Sequence, residues 1–449
     1  MFSKILIANR GEIALRIIRA AREMGIKTVA VYSEVDAGSL HTLMADEKIC
    51  IGPAKPQESY LSIAAILSAA AITGADAVHP GYGFLAENPR LPEICESGGI
   101  TFIGPPANIM RLMGDKNRAR REMIRAKLPV IPGTDHVLAD IDAAKKSAKE
   151  IGYPVILKAT AGGGGKGMRI VRSEAQMEDM FSIAQNESKA SFGVSHLYME
   201  KFMEVARHIE IQIAADNHNR VVAFGERECS VQRKHQKMIE ETPSPFITKQ
   251  VRLKIIRAAE HAAQFIGYRS LGTFEFLVDE KKNFYFMEAN TRVQVEHPIT
   301  EMVYNIDLIK EQIRMAAGEK LTLSHNIPLL GHAIECRINA EDPETFVPSP
   351  GKIEFIVLPG GQGIRVDTAA YSGWKIPPDY DSMIAKIIAF APTRKEAIEK
   401  MATALEMTTI VGIKTNIPLQ MAILANLDFK KGNYDIQFME KFLGNGAKN

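Results

Sequence analysis

The stretch Phe284–Thr300 reads FYFMEANTRVQVEHPIT, and its pattern governs the reading of the whole chain. Side chains alternate across a strand, so counting by twos from Phe286 puts Glu288, Asn290, Arg292, Gln294 and Glu296 on one face. A strand that merely faces water needs no such order. A site holding a divalent cation, an anion and a proton acceptor does.

Just upstream, Gly272–Asp279 (GTFEFLVD) alternates apolar and polar residues, and Glu280–Asn283 supplies a polar turn; together with the first stretch they predict a β-hairpin. With the turn centred on Lys281–Lys282, Glu275 lies opposite Glu288. Two opposed carboxylates destabilise a sheet by about 0.2–1 kcal/mol. A hard cation between them reverses the sign, because Mg²⁺ takes carboxylate oxygens together with the phosphate oxygens of a nucleotide. A solvated hairpin face balanced by Lys281, Lys282 and Arg292 would explain one acidic pair. It does not explain five polar residues in register beside aromatic neighbours.

The bulk properties narrow the class. At 449 residues the chain has room for about three domains. A net charge of +2 supplies no field for nucleic acid or an anionic membrane, so neither is expected as a partner. Cys50, Cys95, Cys229 and Cys336 are far apart with no CxxC, which predicts reduced thiols rather than a disulfide framework or zinc site. The segment MFSKILIANRGE has no signal-like apolar core, and no apolar run approaches the roughly 18 residues of a membrane span. A cytoplasmic enzyme is the expectation.

Residues 1–114 read as an α/β domain: strands at Lys4–Ala8, Thr28–Tyr32 and Ala77–His79, with helices at Glu12–Met24 and around Ser59–Ala71. Asn9-Arg10-Gly11 stands where GxGxxG would mark a dinucleotide site, but its single glycine fits a structural β–α turn better. Gly114-Asp115-Lys116 opens a helix and a second domain, 115–330, which contains a smaller α/β unit at about 131–203 and a helix at Ile309–Ala317. Strands at Ala333–Ile338, Gly351–Val357 and Ile384–Phe390 and a helix at Arg394–Glu406 then predict a third, α+β domain over 331–449.

Lys158–Met168 reads KATAGGGGKGM. Four glycines without Cβ atoms let backbone N–H groups approach phosphate oxygens, although no Ser or Thr follows the lysine as in a Walker loop. Lys116 and Lys158 are candidate point charges for those phosphates. Glu200-Lys201-Phe202-Met203 reads as a strand-to-linker stretch able to face an adenine edge. Glu226–Lys237 (ERECSVQRKHQK) is too polar for a core; a solvated loop and a site segment are both open. Within it, Cys229 reads as a buried structural thiol. His79–Gly83 (HPGYG) is a rigid turn that could frame a cleft.

Taken together, IANRGEIA at 7–14, HPGYGFLAEN at 79–88, GDK at 114–116, the glycine loop, ERECSVQRKHQK and MEANTRVQVEHP resemble the biotin carboxylase family over essentially the whole chain. The resemblance implies an ATP-grasp fold, in which a Rossmann-like N-terminal α/β domain, a mobile lid and a C-terminal α+β domain close on ATP. By matching position it implies that Lys116, Lys158, Glu200, Lys201, Met203, His208, Gln232 and His235 contact ATP, with Gly162, Gly163, Gly164 and Gly165 over its phosphates. It implies Glu275, Glu288 and Asn290 as ligands of two Mg²⁺ or Mn²⁺ ions. Lys237, Arg292, Gln294 and Val295 would hold bicarbonate, Glu296 would be the base, and Arg337 in ECRINAEDP would face biotin.

That family attaches biotin within Met-Lys-Met, a tripeptide this chain lacks, so biotin is expected on a separate carrier protein, with separate carboxyltransferase subunits. The implied reaction is the first half-reaction of acetyl-CoA carboxylase in fatty acid synthesis, run by a homodimer. Residues 203–206 (MEVA) depart from the family pattern on the adenine side. Two other readings stay open: an ATP-dependent ligase joining a carboxylate to an amine, and a non-catalytic nucleotide-binding scaffold.

Overall fold

Lys4–Ile7 is the middle strand of a five-stranded parallel sheet ordered 47–50, 27–32, 4–7, 77–79, 101–102. The computed structural model in which this is seen describes residues 1–160, 168–324 and 327–446; Gly162, Gly163, Gly164 and Gly165 lie outside them. The helix Gly11–Glu23 buries Ile13, Ile17 and Ile18 against the sheet. The helix expected around 59–71 runs Ile63–Thr73, because Ser62 caps it through the Ala65 N–H and Gly74, in the left-handed region at φ 62°, ends it. The two short edge strands, Glu47–Cys50 and Thr101–Phe102, carry no apolar run and left no sequence pattern to read.

The Asn9-Arg10-Gly11 segment is the structural turn expected, with one further duty. Asn9 Nδ2 donates to the carbonyls of Pro80 at 2.6 Å and Tyr82 at 2.7 Å, which ties down the HPGYG turn. Gly81 permits that contact: its φ is +62°, and a Cβ there would lie 2.9 Å from Asn9 Nδ2.

Asp115 caps the next helix, Lys116–Arg125, by accepting from the N–H groups of Asn117 and Arg118. A small unit follows: the antiparallel strands Met168–Val171, Val155–Ala159 and Leu197–Lys201, packed on the helices Ile141–Ile151 and Met177–Phe192. The rest of the chain is organised around one antiparallel eight-stranded sheet. Its order is 284–290, 270–278, 207–215, 221–233, 236–242, 332–339, 383–391, 364–368. The strand His332–Asn339 pairs with Gln236–Thr242, so this sheet runs on without a break from the hairpin at 270–290 into the C-terminal part of the chain. The helix Lys249–Phe265 packs on the sheet through Ile255, Ala259 and Ala262, and the helix Arg394–Glu406 covers its far end.

Among the described residues no helix is long and apolar enough to cross a membrane. The four cysteines are free thiols.

Candidate active site

The hairpin forms, and Glu275 stands opposite Glu288, but by a different route from the one expected. Near the turn the register is Val278↔Phe284, Leu277↔Tyr285 and Phe276↔Phe286, one residue off a turn centred on Lys281–Lys282. A bulge at Met287 then restores the opposition of the two acids. It also corrects the reading of one face from Phe286 onward. Phe286 belongs to the core side, ring against Phe274 and Phe276, whereas Glu288 and Asn290 turn to the other side. The strand ends at Asn290, and residues 291–296 form a loop rather than a continuation of it.

That loop folds back so that its side chains still converge. Arg292 donates from Nη2 to Asn290 Oδ1 at 3.0 Å, from Nη1 to Gln294 Oε1 at 2.7 Å, and from Nε to Glu87 Oε2 at 2.9 Å. Gln294 and Asn290 both donate to Glu275 Oε1, at 3.0 and 2.8 Å. The Glu87 partner comes from the N-terminal α/β domain and was not foreseen.

Lys237 is the hub. Its ammonium donates to Glu210 at 2.6 Å, Glu275 at 3.0 Å and Glu296 at 2.7 Å. Burial alone would favour neutral amine, but the three carboxylates outweigh it and hold the lysine charged far up the pH scale. On its other oxygen Glu296 accepts from Arg337 Nη2 at 3.0 Å, while Arg337 Nε donates to Glu240 at 2.6 Å. Burial pushes the Glu296 carboxyl up; Lys237, Arg337 and Arg227 outweigh that and keep it ionised well below the usual range. Glu296 itself has no exposed surface, and sits beneath Lys237 and Arg337 rather than on the cavity wall.

The segment 226–237 is not the solvated loop but a site segment. It spans the strand Val221–Arg233 and the start of Gln236–Thr242, with Lys234 and His235 at the turn between them, both at positive φ. Glu226 through Ser230 are buried because acids and Arg227 pair internally, Arg227 with Glu210, Gln212, Thr273 and Thr300. Cys229 is the buried thiol expected, and burial, then Glu210, push it far above a useful basic range.

A cavity of about 1050 Å³ runs past these groups. Lys116, Lys158, Glu200, Lys201, Met203, His208, Gln232, His235, Lys237, Glu275, Glu288, Asn290, Arg292, Gln294, Val295 and Arg337 all line it. Lys116 lies 3.4 Å from Glu288, Lys158 bonds Glu200, and Lys201 donates to the carbonyls of Gly152 and Tyr153. His208 meets Glu275 at 2.8 Å; burial would lower the imidazole, but Glu275 outweighs it and raises it. His235 goes the other way, lowered by burial, then by Lys158 and His208.

The opposed carboxylates of Glu275 and Glu288 and the amide oxygen of Asn290 form an all-oxygen donor set of the kind Mg²⁺ or Mn²⁺ prefers. A tighter group, His208, Glu210 and Glu275, has ligand atoms within 4.8 Å of one another. The Lys237 ammonium bonded to two of these acids repels a second cation, so that group reads as an ion-pair cluster.

Glu210, Glu240, Glu335, Glu12 and Tyr82 also gather here and were missed. The strand Arg207–Ala215 (RHIEIQIAA) places His208, Glu210 and Gln212 on one face at a spacing of two, a signal that was present for Glu210. Glu240 and Glu335 come from strands distant in sequence, joined only by the sheet, and Glu12 and Tyr82 come from a helix and a turn of the parallel-sheet domain.

A nucleotide-sized cleft between an α/β domain, a small antiparallel unit and an acid-rich antiparallel sheet defines an ATP-grasp ligase. Family models agree, matching "Biotin carboxylase, N-terminal domain" over residues 1–110, "Carbamoyl-phosphate synthase L chain, ATP binding domain" over 115–324 and "Biotin carboxylase C-terminal domain" over 335–441. The chain is 54% identical over 446 residues to the biotin carboxylase of Haemophilus influenzae, covering 99% of each. Among solved structures it is similar to a biotin carboxylase β,γ-ATP complex from Campylobacter jejuni (TM-score 0.96, 49% identity, 98% of this chain and 99% of that one). It is also similar to the biotin carboxylase domain dimer of Hydrogenobacter thermophilus 2-oxoglutarate carboxylase with MgADP and bicarbonate (TM-score 0.94, 49% identity, 98% of each). The chain belongs to the biotin carboxylase family, enzymes that carboxylate biotin at the expense of ATP.

Proposed function

We propose that this chain uses ATP and bicarbonate to carboxylate biotin carried on a separate protein, as the first half-reaction of an acetyl-CoA carboxylase. The observation that carries the reading is the convergence of Lys237, Arg292, Gln294 and Arg337 beside the Glu275–Glu288 pair in one cavity, with Glu296 bonded directly beneath Lys237 and Arg337. Lys116, Lys158 and His208 contact the nucleotide's phosphates; Glu200, Lys201 and Met203 take the adenine edge, and Gln232 and His235 complete the nucleotide wall. Glu275, Glu288 and Asn290 hold Mg²⁺ or Mn²⁺, which when bound draws charge off the phosphate oxygens.

Bicarbonate enters between Lys237, Arg292, Gln294 and the Val295 backbone. An anion there competes with Glu296 for Lys237, and a carboxylate that loses a cation gains proton affinity. Glu296 then removes the bicarbonate proton, and the freed oxygen attacks the γ-phosphorus as ADP leaves. The carboxyphosphate so formed breaks to CO₂ and phosphate. Phosphate accepts the N1 proton of biotin while Arg337 stabilises the oxygen that becomes enolate-like, and N1 adds to CO₂. Cys229, a buried thiol held protonated, does not serve as that base.

A homodimer working in the cytoplasm with a biotin carrier and carboxyltransferase subunits completes the reading. The test is phosphate release from ATP, which is expected to require bicarbonate and to rise with free biotin or biotinylated carrier. Stimulation by an amine instead of biotin would move the assignment to the amide-forming ligases. Reconstitution with carrier and carboxyltransferase then separates acetyl-CoA from a 2-keto acid as the final acceptor. The 2-oxoglutarate carboxylase among the similar structures makes the keto acid the specific competitor.

A further inference from the structure

The eight-stranded sheet holds a lysine with no exposed surface and no part in the chemistry above. Lys386 lies on Met383–Ala391, with Arg337 as its cross-strand neighbour on one side and Asp367 on the other. A buried ammonium is costly unless it is paired and hydrogen-bonded. Lys386 Nζ lies 3.1 Å from Glu12 Oε1, and Glu335 and Asp367 also face it. These acids suffice to keep it charged. It also reaches the loop: Nζ donates to the Val295 carbonyl at 2.7 Å, between Gln294 and Glu296. The Tyr82 ring stands 6.0 Å over the ammonium, and the Tyr82 hydroxyl donates to Glu12. Glu12 is thus pinned from the N-terminal domain, by the same turn that Asn9 docks.

We propose that Lys386 is a positioning residue of the anion pocket: anchored to Glu12, it holds the Val295 carbonyl and fixes residues 291–296 in the turn that aims Gln294 at Glu275 and Glu296 at Lys237. A loop that has left its strand has no ladder bonds to set its shape, so charge-assisted bonds to it help decide which way its side chains point; Arg292 and Glu87 hold its start, and Lys386 holds the carbonyl between Gln294 and Glu296. The neighbouring positions matter for the same reason. Val295 and Gln294 line the cavity, and Glu296 is the proton acceptor. This inference rests on the bicarbonate reading of that pocket.

Lys386→Met alone would strand the Glu12 carboxylate inside the protein, so the decisive variant is the double one, Glu12→Gln with Lys386→Met, which removes both charges. Initial rates of phosphate release are measured against bicarbonate and against ATP separately, alongside thermal unfolding with and without ATP. The double variant is expected to unfold near the parent temperature and to keep its KM for ATP within about twofold, while its KM for bicarbonate rises about tenfold, the scale of one lost bond to a charged group. Lys386→Arg, which keeps a donor and a charge, is expected to fall between the two. A double variant whose KM for bicarbonate equals the parent's, or whose two KM values rise together, would overturn the inference alone. A parent enzyme that releases phosphate without any need for bicarbonate would overturn the functional reading and this inference with it.

Discussion

Glu296, the base in the proposed reaction, shows how a buried carboxylate is kept ionised by its surroundings. Alone in a buried site it would take up a proton; between Lys237 at 2.7 Å and Arg337 at 3.0 Å it stays ionised. In the proposed reaction the same contacts restrain it as a base until a bound anion draws Lys237 away. Replacing it with Gln keeps the shape and removes the proton acceptor. Glu296→Gln is expected to lower bicarbonate-dependent phosphate release by about 10²–10⁴-fold and to leave ATP binding within about twofold. Loss of ATP binding in step with turnover would instead mark the carboxylate as structural. The residues of this cluster that were readable in the sequence share one segment, Glu288 to Glu296, or a motif such as ERECSVQRKHQK. Glu240 and Glu335 were not, because they meet as cross-strand partners almost a hundred positions apart, and no local pattern encodes that.

Two elements, one in the site and one holding the C-terminal helices, each yield a test. The first is the bulge at Met287, which places Glu288 opposite Glu275 while Phe286 remains in the core. Shifting a strand by one residue moves each of its side chains to the other face. Deletion of Met287 removes the bulge yet leaves Glu288 opposite Glu275, so nucleotide-dependent thermal stabilisation is expected to survive it; one residue inserted between Met287 and Glu288 is expected to turn Glu288 and Asn290 toward the core side and abolish that stabilisation. Unchanged stabilisation by MgATP in the insertion variant would show that this register does not set the site. Alternation alone revealed the hairpin and both acids; the bulge stayed hidden because it replaces one plausible register with another. The second element is the clamp on the C-terminal helices. Glu241 accepts from His332 and Tyr434 and from both Arg394 Nε and Nη2, the latter two at 2.7 and 2.8 Å. Burial raises its carboxyl, but the His332 and Arg394 bonds outweigh this and hold it at about 2. A folded value below the unfolded one adds stability that is complete above about pH 4.5 and is lost as the pH falls toward 2, on the order of 3 kcal/mol. Arg394→Met should move that acid limb to higher pH in urea unfolding measured across a pH series. Parallel curves for parent and variant would remove Arg394 from the account.

At the scale of the molecule, the site belongs to no single domain. Glu87, Tyr82 and Glu12 come from the parallel-sheet domain, Lys158 and Glu200 from the small inserted unit, and Arg337 and Lys386 from the C-terminal strands. The alternation of strands and helices before residue 114 and the change of character after Gly331 were legible as composition and period. That the C-terminal strands extend the same sheet as the hairpin at 270–290 was not, because strand order is settled by packing over long separations. Arg337 reaches Glu296 only through that continuity. The joint arrangement makes sense if one anion must meet a nucleotide on one side and biotin on the other. The most direct measurement is oxygen transfer: bicarbonate labelled with ¹⁸O is turned over with unlabelled ATP and biotin, and the released phosphate is weighed. Attack of bicarbonate on the γ-phosphorus places one labelled oxygen in each phosphate. Phosphate free of label, formed while carboxybiotin accumulates, would contradict the mechanism at its first step.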